Sequence, residues 1–434
     1  MPLDDLQNFN SGYRVLSGDF PFVDYYSVTG PLLDIWQAFF FNILGVSWSS
    51  FVVHSSFLNC LYSLSIYLFL KELRFNIFNI FCYCLSAGIL MYPPAGTPTV
   101  EHHSLIISTM GLIFFMIGLK NDNKFYLILS PFLFCVAFFI KQVPTAYFII
   151  FAAFLYFFQI YKKIDISSFK IITLSSVFSL LLILAFFFSH QVSLKILYNQ
   201  YIVIAMNLGE SRFNQINFLS IYENISKLFF LLFLIIPSFY IFCKNKENKS
   251  FSFLLGISFV ICFYENHSNN QPITFALLPI FLSVLHYDLL SNKKQSKFTE
   301  YFFYLIISYT FFRILRYEIF YLWIFLPIFL FIIFNKFFTK KIINLNFLLI
   351  IYLAISTSLY FEKYIKIRAW DDLKKNDLLS SFDGNEIDIK FNKLNWKTIY
   401  FEDPEKEKKL IKELLIYLKS LDEDYNYIMM TDYQ

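Results

Sequence analysis

The stretch SLIISTMGLIFFMIGLKNDNKFYLILSPFLFCVAFFIKQVPTAYFIIFAAFLYFFQIYKK, residues 104–163, decides the fold. It holds three apolar runs, 104–119, 125–140 and 144–161. Charge is confined to the connectors: Lys120 and Lys124, then Lys141, then Lys162 and Lys163. Each run approaches the roughly 20 residues that a helix needs to cross about 30 Å of hydrocarbon. In lipid, only helices and closed barrels satisfy every backbone polar group. Runs of this length, without strand alternation, predict helices.

The rest of the chain repeats the pattern. Of 434 residues, 57% are hydrophobic, 22% aromatic and 16% charged, and the mean hydropathy is +0.54. Soluble domains carry about 25% charged residues. About twelve spans are predicted, the others near 50–70, 77–93, 171–189, 228–243, 251–264, 273–287, 300–314, 317–334 and 342–361. The fold class is therefore an all-α polytopic membrane bundle. The net charge of +4 says little about partners, because placement matters more than the sum, and nothing points to nucleic acid. The six cysteines lie in or beside apolar runs with no metal-site spacing, so they read as small buried hydrophobes.

Loop charge gives an orientation. Lys71 and Arg74, Lys120 and Lys124, Lys162, Lys163 and Lys170, Lys244, Lys246 and Lys249, Lys293, Lys294 and Lys297, and Lys336, Lys340 and Lys341 fall on alternate loops. The opposite set is longer but poorer: Arg14, Lys141, Lys195, Arg212, Lys227, Arg313 and Arg316. The rich set is expected in the cytoplasm. Residues 1–49, 92–103, 190–227, 265–272 and the tail after 361 are then expected on the outer face of a cytoplasmic membrane. An outside N-terminus needs a means of export, and MPLDD has neither a basic nor an apolar leader region. The simplest expectation is a further span before Met1, in a chain that begins late.

Three regions follow: an outer segment 1–49, a bundle 50–361, and a polar tail 362–434. In the tail, Asp403 is a predicted N-cap with Pro404 at the first helical position, opening an amphipathic helix. TIYF at 398–401 and YIMM at 427–430 read as flanking strands of a small α/β appendage, which also looks cut at its end.

The segment 1–49 is too long and too apolar for a plain connector. It runs Asp4-Asp5, a helix-like LQNFNSGYRVL, the turn Gly18-Asp19-Phe20-Pro21-Phe22, then Asp24, Gly30-Pro31-Leu32-Leu33 and a second helix to Gly45. By itself Asp4-Asp5 reads as a solvated chain end. Asp24 reads as a turn anchor or a ligand-contacting carboxylate. Glu101-His102-His103 sits where a span re-enters the membrane, as a polar helix cap or a site for phosphate, metal or proton transfer. Lys141 lies between two spans, to snorkel or to meet a phosphate.

Taken together, these motifs resemble the first outer loop of GT-C glycosyltransferases, within the bacterial branch of protein O-mannosyltransferases and aminoarabinose transferases (glycosyltransferase family 39-like). The specific matches cluster in residues 4–45, and the span arrangement extends the likeness to about 360. The first span of those enzymes is missing. The resemblance implies a GT-C-like bundle with interfacial helices and inverting transfer of a sugar from a polyprenyl-phosphate donor to a lipid, glycan or protein acceptor. It implies Asp4 or Asp5 as catalytic carboxylate, and Glu101, His102, His103, Lys141, Arg14 and Asp24 as substrate-binding residues. No nucleotide or organic cofactor is implied, and the metal requirement stays open, a divalent cation being one option. Two other classes compete. An O-antigen polymerase or ligase would use outer-loop arginines and a histidine, for which 190–227 offers His190 and Arg212. A transporter or flippase would need buried charge and broken helices in mid-membrane.

Overall fold

The structure, a computed structural model, describes residues 3–27, 30–93, 96–161, 166–207, 279–280, 282–283, 345–362, 381–388, 395–397 and 403–420. The chain divides into two units, Met1–Arg368 and Ala369–Gln434. The first is helical where described: α1 (Leu3–Leu16), α2 (Pro31–Leu44), α3 (Trp48–Glu72), α4 (Ile77–Leu90), α5 (Val100–Asn121), α6 (Lys124–Ile140), α7 (Gln142–Tyr161), α8 (Ile166–Ser189), a short α9 (Leu194–Leu197) continuing as a π-helical turn, and α10 (Leu345–Tyr360).

Three described helices are long and apolar enough to cross a membrane: Trp48–Glu72, Val100–Asn121 and Ser167–Ser189. The apolar parts of α2, α4, α6 and α7 are shorter. The spans expected at 228–243, 251–264, 300–314 and 317–334 lie outside the described residues, as does most of 273–287.

Local chemistry sets the boundaries. Ser47 caps α3 by accepting from the Ser50 amide at 3.1 Å, and Asn76 caps α4 by accepting from Asn79 at 2.8 Å. Thr99 caps α5, and Pro31 opens α2 at a position where its missing N–H costs nothing. Asp122, left-handed at φ 52°, ends α5 and lets α6 fold back along it.

The core is built around α5, whose residues 102–118 are all buried. One cluster joins Leu58, Tyr62 and Ile66 of α3, Tyr83 and Ala87 of α4, and Ile106, Ile113 and Ile117 of α5. A smaller cluster lies at one end, where Phe22 inserts among Phe139, Phe187 and Tyr201. Phe22 sits at φ 72°, a conformation that a bulky residue holds only when packing over-determines it. Of the cysteines expected to be buried, Cys60 is exposed and Cys82, Cys84 and Cys135 are half-buried, because apolarity and not depth places these small thiols.

The second unit holds a two-stranded antiparallel ribbon, β1 (Ser381–Asp383) with β2 (Asn395–Lys397). It is followed by α11 (Pro404–Ser420), begun by Asp403 and Pro404 as the sequence predicts. Lys408 of α11 bonds Glu386 and Glu405, each at 2.6 Å. The expected strands at 398–401 and 427–430 lie outside the described residues.

Candidate functional site

The site forms where the α6–α7 junction meets the start of α5. Lys141 closes α6 in extended backbone, and Val143 is non-helical. A break here strands the Lys141 carbonyl, and a buried carbonyl needs a partner. Ser104 of α5 supplies one, its Oγ donating at 3.3 Å. Thr145 Oγ1 lies 2.8 Å from Ser104 Oγ and 2.9 Å from Ser108 Oγ, so hydroxyls lace α5 to the broken helix. Gln142 Nε2 donates to the Tyr201 carbonyl at 2.7 Å on the other side.

This frame fixes Lys141. Its Nζ lies 2.6 Å from Glu101 Oε1, with side-chain exposures of 19% and 16%. Glu101 occupies the first turn of α5, where the helix dipole favours a carboxylate. Exposed ion pairs contribute little. One this sheltered is sensitive to removal of either partner.

Behind the pair lie three histidines. His102 Nε2 bonds the Met91 carbonyl, and His103 Nδ1 bonds the Thr99 carbonyl at 3.1 Å. His54 of α3 has Nδ1 2.7 Å from Gln37 Oε1. The His54 and His103 rings meet at 4.7 Å, and Phe40 stacks on His54 at 4.6 Å. Each ring spends one nitrogen on an oxygen acceptor, which makes that nitrogen the N–H donor. The other nitrogens, His54 Nε2, His102 Nδ1 and His103 Nε2, are buried without a hydrogen-bond partner. His102 and His103 are thus buried side chains in the first turn of α5.

The 1–49 segment packs onto this end. Asn8 of α1 donates to the Pro98 carbonyl at 3.2 Å, just before α5 begins. A Cβ on Gly12 would press on Gln37, so α1 lies close against α2. Gly30 donates its amide to Ile140 at 2.8 Å, and a Cβ there would overlap the Phe139 carbonyl. Only glycine lets α2 start against the end of α6. Between these anchors, Asp24 Oδ2 accepts from the Phe20 amide at 2.6 Å, which makes Asp24 a turn anchor. Arg14 bonds Asp19 at 2.7 Å and the Asp24 carbonyl at 3.3 Å, and lies 4.5 Å above the Tyr25 ring.

Sequence reasoning passed over the group beneath Arg14. Tyr25 Oη donates to Asp34 Oδ2 at 2.9 Å, and Asp34 is buried. Burial raises its carboxyl to about 7, against the lowering effect of hydrogen bonds from Tyr25 and Ser27. Burial, and then the Asp34 charge, push the Tyr25 phenol up as well. The one ionisable residue in PLLDIWQAFFFNIL was the available signal.

The structure thus joins Glu101 to Lys141, places His102 and His103 behind them, and gathers Arg14 and Asp24 in the turn. Asp4 and Asp5 fall in the first turn of α1, one turn ahead of Asn8, and their side chains lie outside the described residues. His190 stacks on Phe20 at 4.2 Å, and Arg212 lies outside the described residues. Among the described residues, no group of three or more His, Cys, Asp or Glu is placed to hold a metal ion. In comparisons with known proteins, no family model matches the chain, and neither a curated protein nor a solved structure is similar to it.

Proposed function

We propose that this chain is an inverting GT-C-type glycosyltransferase that moves a sugar from a polyprenyl-phosphate donor to a lipid, glycan or protein acceptor. The reaction is placed at the outer face of the cytoplasmic membrane, on a bundle of about twelve spans. The observation that carries this reading is the Glu101–Lys141 pair, 2.6 Å apart at a broken helix with α1 docked beside it. An acidic segment and a sheltered lysine at one end of an apolar bundle are what lipid-phosphate chemistry requires.

In the proposed step, the acceptor hydroxyl attacks C1 of the sugar while Asp4 or Asp5 takes its proton. The C1–O bond to phosphate breaks, its electron pair goes to the phosphate oxygen, and polyprenyl phosphate leaves. Lys141 stabilises the charge gathering on that phosphate, exchanging part of its contact with Glu101 for the leaving group. Arg14 supplies a second cation.

The test is transfer from radiolabelled polyprenyl-phosphate sugars in membranes. Loss in Asp4→Asn or Asp5→Asn, and in Lys141→Ala, at normal protein levels supports the reading. Full transfer by all three variants moves the chemistry elsewhere.

One observation favours a second reading. Three buried histidines with unpartnered nitrogens, next to a broken helix, suit a proton-coupled transporter or flippase. Proton-gradient-driven uptake or lipid translocation by the purified protein, without transfer, would favour it.

A further inference from the structure

We propose that Asp34 is a positioning residue: through Tyr25 it holds the Arg14 guanidinium in place as an anion subsite for the phosphate of a membrane-embedded lipid. The phosphate assignment rests on the glycosyltransferase reading, whereas the positioning of Arg14 stands independently of it.

The geometry forms a chain of contacts from core to surface. Asp34, on the buried side of α2, accepts from Tyr25 Oη at 2.9 Å. The Tyr25 ring then lies 4.5 Å beneath the Arg14 guanidinium carbon. Arg14 is tied on Nε by Asp19 at 2.7 Å and on Nη2 by the Asp24 carbonyl at 3.3 Å. Its side chain keeps 38% exposure. A guanidinium fixed over an aromatic ring, held on two nitrogens and still open to the surroundings, loses little rotamer freedom when an anion docks. Arg14 and Asp19 are the charged groups that bear on the Tyr25–Asp34 pair.

Burying a carboxyl in an apolar helix costs stability unless it is hydrogen-bonded. A plain packing role at this position would be filled better by leucine. Asp34 instead provides an acceptor that orients the Tyr25 hydroxyl from below. Asparagine retains that acceptor oxygen and leucine does not, and this difference makes the role testable.

The experiment follows modification of Arg14 by phenylglyoxal, read by peptide mass, in the full chain reconstituted into phosphatidylcholine vesicles. Long-chain polyprenyl monophosphate in the bilayer is the probe, inorganic phosphate and phosphatidylglycerol are separate arms, and the donor KM is measured beside them. The polyprenyl monophosphate is expected to protect Arg14 in the native chain and in Asp34→Asn. In Asp34→Leu and Tyr25→Phe, protection is lost and the donor KM rises about tenfold while kcat changes less. Tyr25→Phe keeps the ring and removes only the hydroxyl, so it decides the matter if Asp34→Leu fails to fold. Unchanged protection in Tyr25→Phe and any folded Asp34→Leu overturns the positioning role. Equal protection by inorganic phosphate overturns the lipid subsite, whereas equal protection by phosphatidylglycerol, itself a lipid phosphate, supports it. If Arg14 protection responds as expected but no sugar is transferred, the glycosyltransferase reading fails and the anion subsite stands.

Discussion

Helices α5 and α8 are both apolar and long enough to cross a membrane, yet they occupy opposite environments. Of the most apolar part of α5, 94% is buried, against 22% for α8. α8 is nonetheless the more apolar of the two, and turns Leu174, Phe178 and Leu181 outward. α5 carries His102, His103, Ser104, Ser108 and Thr109 in full burial. In water the greasier helix would be the inner one. In a bilayer, lipid is as apolar as leucine, so hydrophobicity no longer selects the interior. Packing and hydrogen bonding select it, and the less apolar helix becomes the core and holds the buried polar side chains.

Truncation should separate the two helices most sharply. Ile113→Ala on α5, at a residue 1% exposed, is expected to cost about 2–4 kcal/mol through lost contacts and a cavity. Leu181→Ala on α8, 58% exposed, should stay within about 0.5 kcal/mol. Unfolding of the reconstituted protein measures both, and equal costs would break the comparison.

Next in size is the polar end of α5. Lys141→Ala should lower transfer by about a hundredfold, roughly 2.7 kcal/mol of transition-state stabilisation. Lys195→Ala, just past the C-terminal end of α8, should change transfer less than twofold. Transfer rates at matched protein levels decide it.

The third prediction uses pH. Asp34 ordinarily titrates near 3.8 and is raised to about 7 in the fold. The folded state therefore binds the proton more tightly than the unfolded one. Its stabilising contribution is full below about pH 3.8 and is lost as pH rises toward 7, by at most about 1.4 kcal/mol per pH unit. Stability against pH in Asp34→Asn should lack this slope, and a slope equal to that of the native chain would remove Asp34 as its source.

The smallest effect is expected in the hydroxyl lacing. Thr145→Val keeps the shape and removes the hydroxyl that Ser104 and Ser108 share, costing about 1 kcal/mol. On α8, Ser176→Ala removes only a bond to its own helix at Ile172 and should be close to neutral. If Thr145→Val is equally neutral, the lacing does not hold the break.

Much of the described fold was legible in advance because it is written in short-range pattern. The runs 50–70, 104–119, 125–140 and 171–189 lie within helices Trp48–Glu72, Val100–Asn121, Lys124–Ile140 and Ile166–Ser189. Polar caps and charge mark their ends. The Glu101–Lys141 contact was readable in part, since both residues stood at ends expected on one face. Asp34, Tyr25, Gln37 and His54 were not. Asp34 and His54 carry no motif of their own, and their partners Tyr25 and Gln37 stand in neighbouring elements, so only the packing of those elements pairs them. The Arg14–Asp19 and Asp24–Phe20 contacts are local, but what they enclose is set by Asp34.

The sequence by itself determined an apolar helical chain, the core of most described helices, and an outer segment with two helices ahead of the first long one. Those properties follow from hydropathy, capping and proline placement, each acting over a few residues. Tertiary structure decided that α5 is the core and α8 the rim, that Gly30 seats α2 on the end of α6, and that Lys141 meets Glu101. These choices depend on which backbones can approach closely and which buried polar groups find partners, and no linear window of residues contains that information.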